Sequence, residues 1–443
     1  MPMFRPPQLS LRVLRDTRYV PAAAALAANA GEAFGFGEKE QSYLRLSVED
    51  GLGYLCAVAD ADEPIEIEMR GDVHCMQLRF RCSLKESNLR VLNLTAKPPV
   101  ENGEATRDLE LFTVSRIADR VWLAWEPNGQ VTLSVVIDRI YAEPTQPLAG
   151  NISPALDWRI EPASPESIQT AAAIAVAHCT EQQYPAFFRF PGQAADVIAS
   201  GDWQAALAVT SGSEVAGVVL WTRNNSRMVE LRGPLLFPQS QPPAMAAGLI
   251  EHVIRNVART TAIGIVNRST GLASAPAGFE VLGTLAACGA EASTVDTFSF
   301  RGLVEDAGTS VFCHPELERF LRHEYARLVL PRKLHLTARA ERNVGGSSVL
   351  ICDFRAGGRE VLLRPVMFGP DACQNLLEHQ RWLHERGVGF VLVELDLGVP
   401  WQTAMAPILL ETGFSPRMVI PYGGRSDTVL FQYMGQFQHG GQG

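Results

Sequence analysis

Two hydrophobic periods alternate along the chain, and one particular order of them occurs twice. Residues 229–238, VELRGPLLFP, lead into the helical run AMAAGLIEHVIRNVART, the apolar strand AIGIV and the closing AGFEVLG. About 130 residues later the order returns as VLLRPVMFGP, CQNLLEHQRWLHERG, VGFVLVEL and ETGFSPRMVIPYGG. Each copy places an Arg and a Pro before an apolar pair and a Phe, then a helix, a buried strand and a Gly-Phe. Two tandem α/β domains of one kind are expected from residues 149–296 and 297–434.

The chain before them has a different pattern. SLRVLRD reads as a strand and PAAAALAANAGE as a helix with proline in its first turn. A second helix follows around Tyr43–Leu55, weakened by Gly51 and Gly53. IEIEMR and VHCMQLRFRCS alternate as strands about a turn at Gly71–Asp72. DLELFTVSRIADRV predicts a helix, and VWLAWEP and QVTLSVVID a hairpin turning at Asn128–Gly129. This order resembles the ATPase domain of histidine kinases and anti-sigma-factor kinases, placing a domain of that α/β sandwich type over residues 1–148. The resemblance puts Glu49 at the family's water-positioning Glu, but Gly53 stands where a magnesium-holding Asn is expected. The Asp-x-Gly-x-Gly loop would fall at Cys82, Ser83 and Leu84, and the glycine-rich lid at Asp108, Leu109, Glu110 and Leu111. Without those groups the scaffold is expected to bind or dimerise rather than hydrolyse ATP.

Residues 141–158, with three prolines and little period, mark a linker. SPESIQTAAAIAVAHC then predicts a helix with Ser164 as cap and a proline at its first position. WQAALAVT and EVAGVVLWTR predict a hairpin at Ser211–Gly212. With the repeat that follows, this half resembles the GCN5-related N-acetyltransferases (GNAT), and the C-terminal half resembles them more closely. The overall expectation is therefore an α/β (α+β) chain: a degenerate histidine-kinase-like ATPase domain followed by two acyl-CoA N-acyltransferase-like domains.

The acetyltransferase resemblance also says what chemistry to look for. Its members hold the coenzyme pyrophosphate on glycine-rich amides at a helix N-terminus. In the first repeat that place reads Phe237-Pro238-Gln239-Ser240-Gln241-Pro242-Pro243, with prolines removing donors. In the second it reads Phe368, Gly369, Pro370, Asp371 and Ala372, so Phe368, Gly369 and Asp371 are the candidate cofactor contacts. Asp371 is also a natural helix N-cap, and its charge would repel a diphosphate. Glu394 and Asp396 at the end of VLVELDL are the candidate bases, and Tyr433 or Tyr422 the candidate acid over a leaving thiolate.

Composition narrows the partners. The 443 residues carry a formal net charge of -9, which disfavours a nucleic-acid surface. The start, MPMFRPPQLSLRVLRD, lacks the apolar core of a signal peptide, and no run is long enough to span a bilayer, so a cytoplasmic protein is expected. The eight cysteines are scattered, which fits reduced thiols rather than disulfides, and no His or Cys spacing suggests a metal. The tail GQFQHGGQG is expected to be disordered. The resulting expectation is a bacterial regulatory factor that binds a protein partner or itself and has lost its nucleotide and acetyl-CoA sites, with no cofactor and no metal. The alternative is an N-acyltransferase using acetyl-CoA and a small-molecule amine, active in the C-terminal domain.

Overall fold

A computed structural model describes residues 8–60, 63–84, 89–98, 105–126, 129–142, 157–238, 241–270, 275–286, 295–338, 346–355 and 358–434. The Asn128, Gln239, Ser240 and tail assignments, and nearly all of the linker, lie outside these residues. The chain forms two compact units. One comprises residues 1–141 with 345–353 and 369–371, and the other comprises 142–344, 354–368 and 372–443.

In the first unit, β1 (Gln8–Val13), β2 (Ile65–Gly71), β3 (Cys75–Cys82), β4 (Arg120–Trp125) and β5 (Val131–Asp138) make one antiparallel sheet in the order β1-β2-β3-β5-β4. Strict alternation buries Ile65, Ile67, Met69, Met76, Leu78 and Phe80. Helices α1 (Val20–Ala33), α2 (Glu38–Val58) and α3 (Ala105–Ile117) accompany it. Gly51 lets α2 lie on the Phe80 ring, 3.3 Å from where a Cβ would stand. The expected helix from Asp108 to Val121 stops early. The Asp119 carboxylate accepts the Asp138 amide at 2.8 Å and draws the next residues into β4. Buried Asn93 ties residues 346–353 to this unit, donating to the Ser348 carbonyl at 2.9 Å and accepting from the Leu350 amide at 2.8 Å.

In the second unit, the first repeat builds a seven-stranded sheet. Its strands are β6 (Trp158–Pro162), β7 (Trp203–Thr210), β8 (Val215–Arg223), β9 (Met228–Leu236), β10 (Gly264–Thr270), β11 (Glu280–Ala286) and β12 (Val295–Gly302), ordered β11-β12-β10-β9-β8-β7-β6. Alternate residues of β7 and β8 feed two cores. One lies against α4 (Pro165–His178) and α5 (Pro191–Ser200), the other against α6 (Pro243–Val257). Ser164 does cap α4, sharing a capping box with Ser167. The strand TFSFRGLV, at the expected boundary between the two domains, joins this sheet as β12.

The second repeat contributes β13 (Thr309–Cys313), α7 (Pro315–Arg327), β14 (Arg332–Leu336), β15 (Val349–Arg355), β16 (Glu360–Met367), α8 (Ala372–Glu385), β17 (Phe390–Asp396), α9 (Met405–Glu411), β18 (Phe414–Ile420) and β19 (Thr428–Tyr433). β16, β17, β19 and β18 lie side by side in that order, and β13 and β14 form a separate parallel pair. Both repeats thus join their two central strands in parallel and close with an antiparallel hairpin. One apolar core serves both: Met228, Val266, Leu282, Leu285 and Phe298 pack with Leu362, Phe390, Leu392, Met418 and Leu430. No described helix is long and apolar enough to cross a membrane.

Candidate functional site

In each repeat the two central strands pair over their first residues and then part. β9 and β10 pair from Met228–Gly264 to Arg232–Arg268, and β16 and β17 from Glu360–Phe390 to Leu363–Val393. The repeat alignment then makes Arg364 the counterpart of Arg232, and Glu394 the counterpart of Arg268. Of the candidate chemistry positions of the C-terminal half, Glu394 and Asp396 lie just beyond the last paired residues of this fork.

The fork of the second repeat is closed by its own side chains. Gln402 donates from Nε2 to the Pro365 carbonyl of β16 at 3.1 Å and accepts the Asp396 amide of β17 at 2.6 Å. One side-chain amide therefore satisfies a backbone acceptor on one strand and a donor on the other, where the ladder has ended. Asp396 is equally committed. Its carboxylate accepts the amides of Gly398 and Arg425, each at 2.8 Å, and of Ser426 at 3.4 Å. Those bonds fix the turn between β17 and the loop before β19. Glu394 accepts from Arg364 Nε at 2.8 Å and from the Thr428 hydroxyl at 3.3 Å.

The tyrosines are placed apart. Tyr433 ends β19 with its ring edge-on to Phe414, centroids 5.5 Å apart. Tyr422 donates its hydroxyl to Asp306, and burial together with that acceptor pushes its pKa up to about 12. Arg332 also bonds Asp306, at 2.8 Å, and Asp427, at 2.7 Å. Tyr422 is thus one corner of a buried ionic network joining the loop after β12 to β14 and the β18–β19 turn.

The candidate cofactor contacts are likewise engaged. Asp371 accepts the Ser348 amide at 2.6 Å, a partner 23 residues away that no local pattern names. A Cβ on Gly369 would stand 2.5 Å from the Ser347 carbonyl carbon and 2.6 Å from the Ser348 nitrogen. Backbone therefore lies against this glycine, and only a residue without a side chain fits. Phe368 is partly buried at the end of the β16 segment. In the first repeat, Gln241 Nε2 donates to the Phe237 carbonyl at 2.7 Å, and Pro242 offers no side-chain cap to α6.

The feature that sequence reasoning missed lies between the repeats. Arg268 donates to Asp296 on β12 and to Glu360 on β16, with the Nη1–Glu360 bond at 2.8 Å. All three residues are almost fully buried. Burial would lower the Arg268 pKa, and its two carboxylates outweigh that and raise it. Arg232 pairs instead with Glu230 at 2.6 Å. Burial would raise the Glu230 pKa, and Arg232, Arg355 and Arg268 together hold it down at about 2. The physical cause is register: two arginines face each other at the β9–β10 fork, where the second repeat has the neutral pair Arg364–Glu394. The extra positive charge is answered by Asp296 and, across the repeats, by Glu360.

No protein-family model matches the chain, and no curated protein matches it. Solved structures do. They include an acetyltransferase of the GNAT family from Desulfovibrio desulfuricans, 13% identical over 33% of this chain and 99% of that one, with a TM-score of 0.27. A GNAT phosphinothricin acetyltransferase from Sinorhizobium meliloti, solved with AcCoA, is 15% identical over 34% of this chain and 91% of its own, at 0.27. An N-acetyltransferase from Staphylococcus aureus Mu50 is 16% identical over 33% and 99%, also at 0.27. Each of the three covers about a third of this chain.

Proposed function

We propose that this chain is a regulatory, protein-binding factor built from acetyltransferase-like repeats in which the coenzyme position of the C-terminal repeat is filled by the protein itself. The observation that carries this reading is the Gln402 clasp, whose amide spans the Pro365 carbonyl and the Asp396 amide. A ligand entering the fork would have to displace that amide and replace both bonds, because a buried donor or acceptor left unmet costs about 1–3 kcal/mol. The Asp396 and Glu394 carboxylates support the same reading, since both are already engaged, Asp396 by the amides of Gly398 and Arg425 and Glu394 by Arg364.

The first unit fits the proposal as a scaffold derived from a kinase-type ATPase. Gly53, at the position of the expected magnesium-holding Asn, lies beneath the Glu110 carboxylate, whose oxygens would stand 3.1 Å from a Cβ there. Burial and the nearby Asp50 raise the Glu110 pKa. An acidic group in this place opposes a nucleotide's phosphates. A protein partner or a second copy of the chain is the ligand this reading calls for.

Isothermal titration of the full chain with acetyl-CoA tests the proposal. The expected result is no saturable heat with the unaltered protein. Micromolar binding that Asp371→Asn or Gly369→Ala abolishes would overturn it and reinstate the N-acyltransferase reading.

A further inference from the structure

Arg232 and Arg364 are the arginines of the repeated Arg-Pro signature, and both line one cavity between the two repeats. The remaining charged residues on its wall are Arg268, Arg355, Glu230, Glu360 and Glu394, and its volume is about 70 Å³. That is room for a few waters or one tetrahedral oxyanion, a water's share of liquid being about 30 Å³. Four guanidiniums thus face three carboxylates, and the further carboxylate, Asp296, lies on Arg268, which it shares with Glu360.

The two signature arginines keep their place while their counter-ions do not. Arg232 is paired by Glu230, two residues earlier on its own strand, and the equivalent of Glu230 in the second repeat is Leu362. Arg364 is paired by Glu394 on the neighbouring strand, and the equivalent of Glu394 in the first repeat is Arg268. If each arginine served only to form an ion pair with its neighbour, arginine and partner would recur together. What recurs is the guanidinium facing the cavity. Both side chains keep some solvent exposure, 24% for Arg232 and 35% for Arg364, so the cavity is not sealed. Burial lowers the Arg232 pKa in spite of Glu230, and the neighbouring Arg268 and Arg355 add to that direction.

We propose that this cavity is a binding site for a small oxyanion of phosphate or sulfate size, held between Arg232 and Arg364 and so bridging the two repeats. Guanidinium forks suit such an anion because two N–H donors can meet two of its oxygens. Sharing one anion between the repeats would couple its presence to how the repeats are held together. The site is independent of whether the Gln402 fork admits a coenzyme.

Titration calorimetry of the full chain with inorganic phosphate, sulfate and chloride at matched ionic strength tests this. Phosphate and sulfate should bind saturably and chloride should not. Arg364→Gln should weaken phosphate binding about tenfold or more, the scale of one lost charge-assisted contact. Arg255→Gln, on the exposed face of α6, should leave it unchanged. Should Arg364→Gln fail to fold, the unaltered protein still gives a readout through labelling with an arginine-selective dicarbonyl mapped by mass spectrometry. Phosphate should then slow modification of Arg232 and Arg364 but not of Arg255. Absence of saturable phosphate binding, equal loss in the Arg255 variant, or labelling that phosphate does not slow would each overturn the proposal.

Discussion

Arg268 of the first repeat and Glu360 of the second form a two-pronged ion pair in the buried space between their sheets. The pair exists because Arg268 stands opposite Arg232 in the β9–β10 register, so the first repeat holds one positive charge too many at that point. Removing the arginine alone leaves Asp296 and Glu360 buried without it. Arg268→Met should therefore cost about 3–5 kcal/mol, the range for breaking a buried pair on one side. Adding Asp296→Asn and Glu360→Gln should recover much of the loss, since the uncompensated charges are then gone. Urea unfolding of the single and triple variants reads both effects. Equal midpoints for the two variants would mean that charge is not what Arg268 balances.

The same cluster sets an acid limit. The Glu230 pKa is about 2 in the folded chain, below its ordinary 4.5, so folding is favoured by the charged form. Its contribution is complete above about pH 4.5 and is lost progressively as pH falls towards 2. Glu360 is shifted in the same direction, because Arg268 outweighs its burial. Stability measured from pH 6 to pH 2 should fall across this window, and Glu230→Gln should flatten the fall while lowering the plateau at neutral pH. An unchanged slope in that variant would remove Glu230 from the account.

How much of this could be read beforehand depends on range. The Arg-Pro signature, the helix and the Gly-Phe closure of each repeat are local, and they located the forks. The pairing of Arg268 with Glu360 is not local. It depends on the registers of two strand pairs 92 positions apart and on which repeat faces which. The stretch after Arg327 is hard to read from sequence for a different reason. Its apolar spacing continues the helical period, yet Val329 turns left-handed at φ +53 and residues Arg332–Leu336 become β14. The partner of Asp371 could not be named either, because Ser348 approaches from another part of the chain.

Val329 offers a direct test of that turn. It is 85% exposed, β-branched and held at positive φ just past the end of α7, a place where glycine is at ease. Val329→Gly should stabilise the chain by about 1 kcal/mol, since the left-handed penalty for a residue with a Cβ is about 1–2 kcal/mol and glycine gives some of it back in unfolded-state entropy. A thermal scan resolves a change of that size. A loss of stability would show that the valine side chain has a contact worth more than the backbone penalty.

Gly283 tests the seam between the repeats. A Cβ there would lie 2.8 Å from the Arg417 carbonyl and 3.0 Å from the Met418 Cβ, so β11 can meet β18 only without a side chain at this point. Arg417 strengthens the contact by donating to the Thr284 carbonyl at 3.1 Å. Gly283→Ala should destabilise by about 1–3 kcal/mol through overpacking. Because one core serves both repeats, unfolding should remain a single step for this unit but occur at lower denaturant. The appearance of a second transition would show that the repeats can part while each stays folded.

Asp50 carries the opposite pH signature to Glu230. Burial, with a contribution from Glu49, raises its pKa to about 6 in the folded chain, from an ordinary 3.8. The folded protein therefore prefers the protonated form. Any stability that Asp50 supplies is complete below about pH 4 and is lost as pH rises through 6. Asp50 is only half-buried, and water screens its charge, so the effect is expected to be a few tenths of a kcal/mol to about 1 kcal/mol. Asp50→Asn removes the titration and should raise the melting temperature at pH 7.5 while leaving it nearly unchanged at pH 4. The gain at pH 7.5 should shrink in a Glu110→Gln background, because the Asp50 charge is one of the causes that raise the Glu110 pKa. If Asp50→Asn shifts stability equally at both pH values, the aspartate is not acting through its charge.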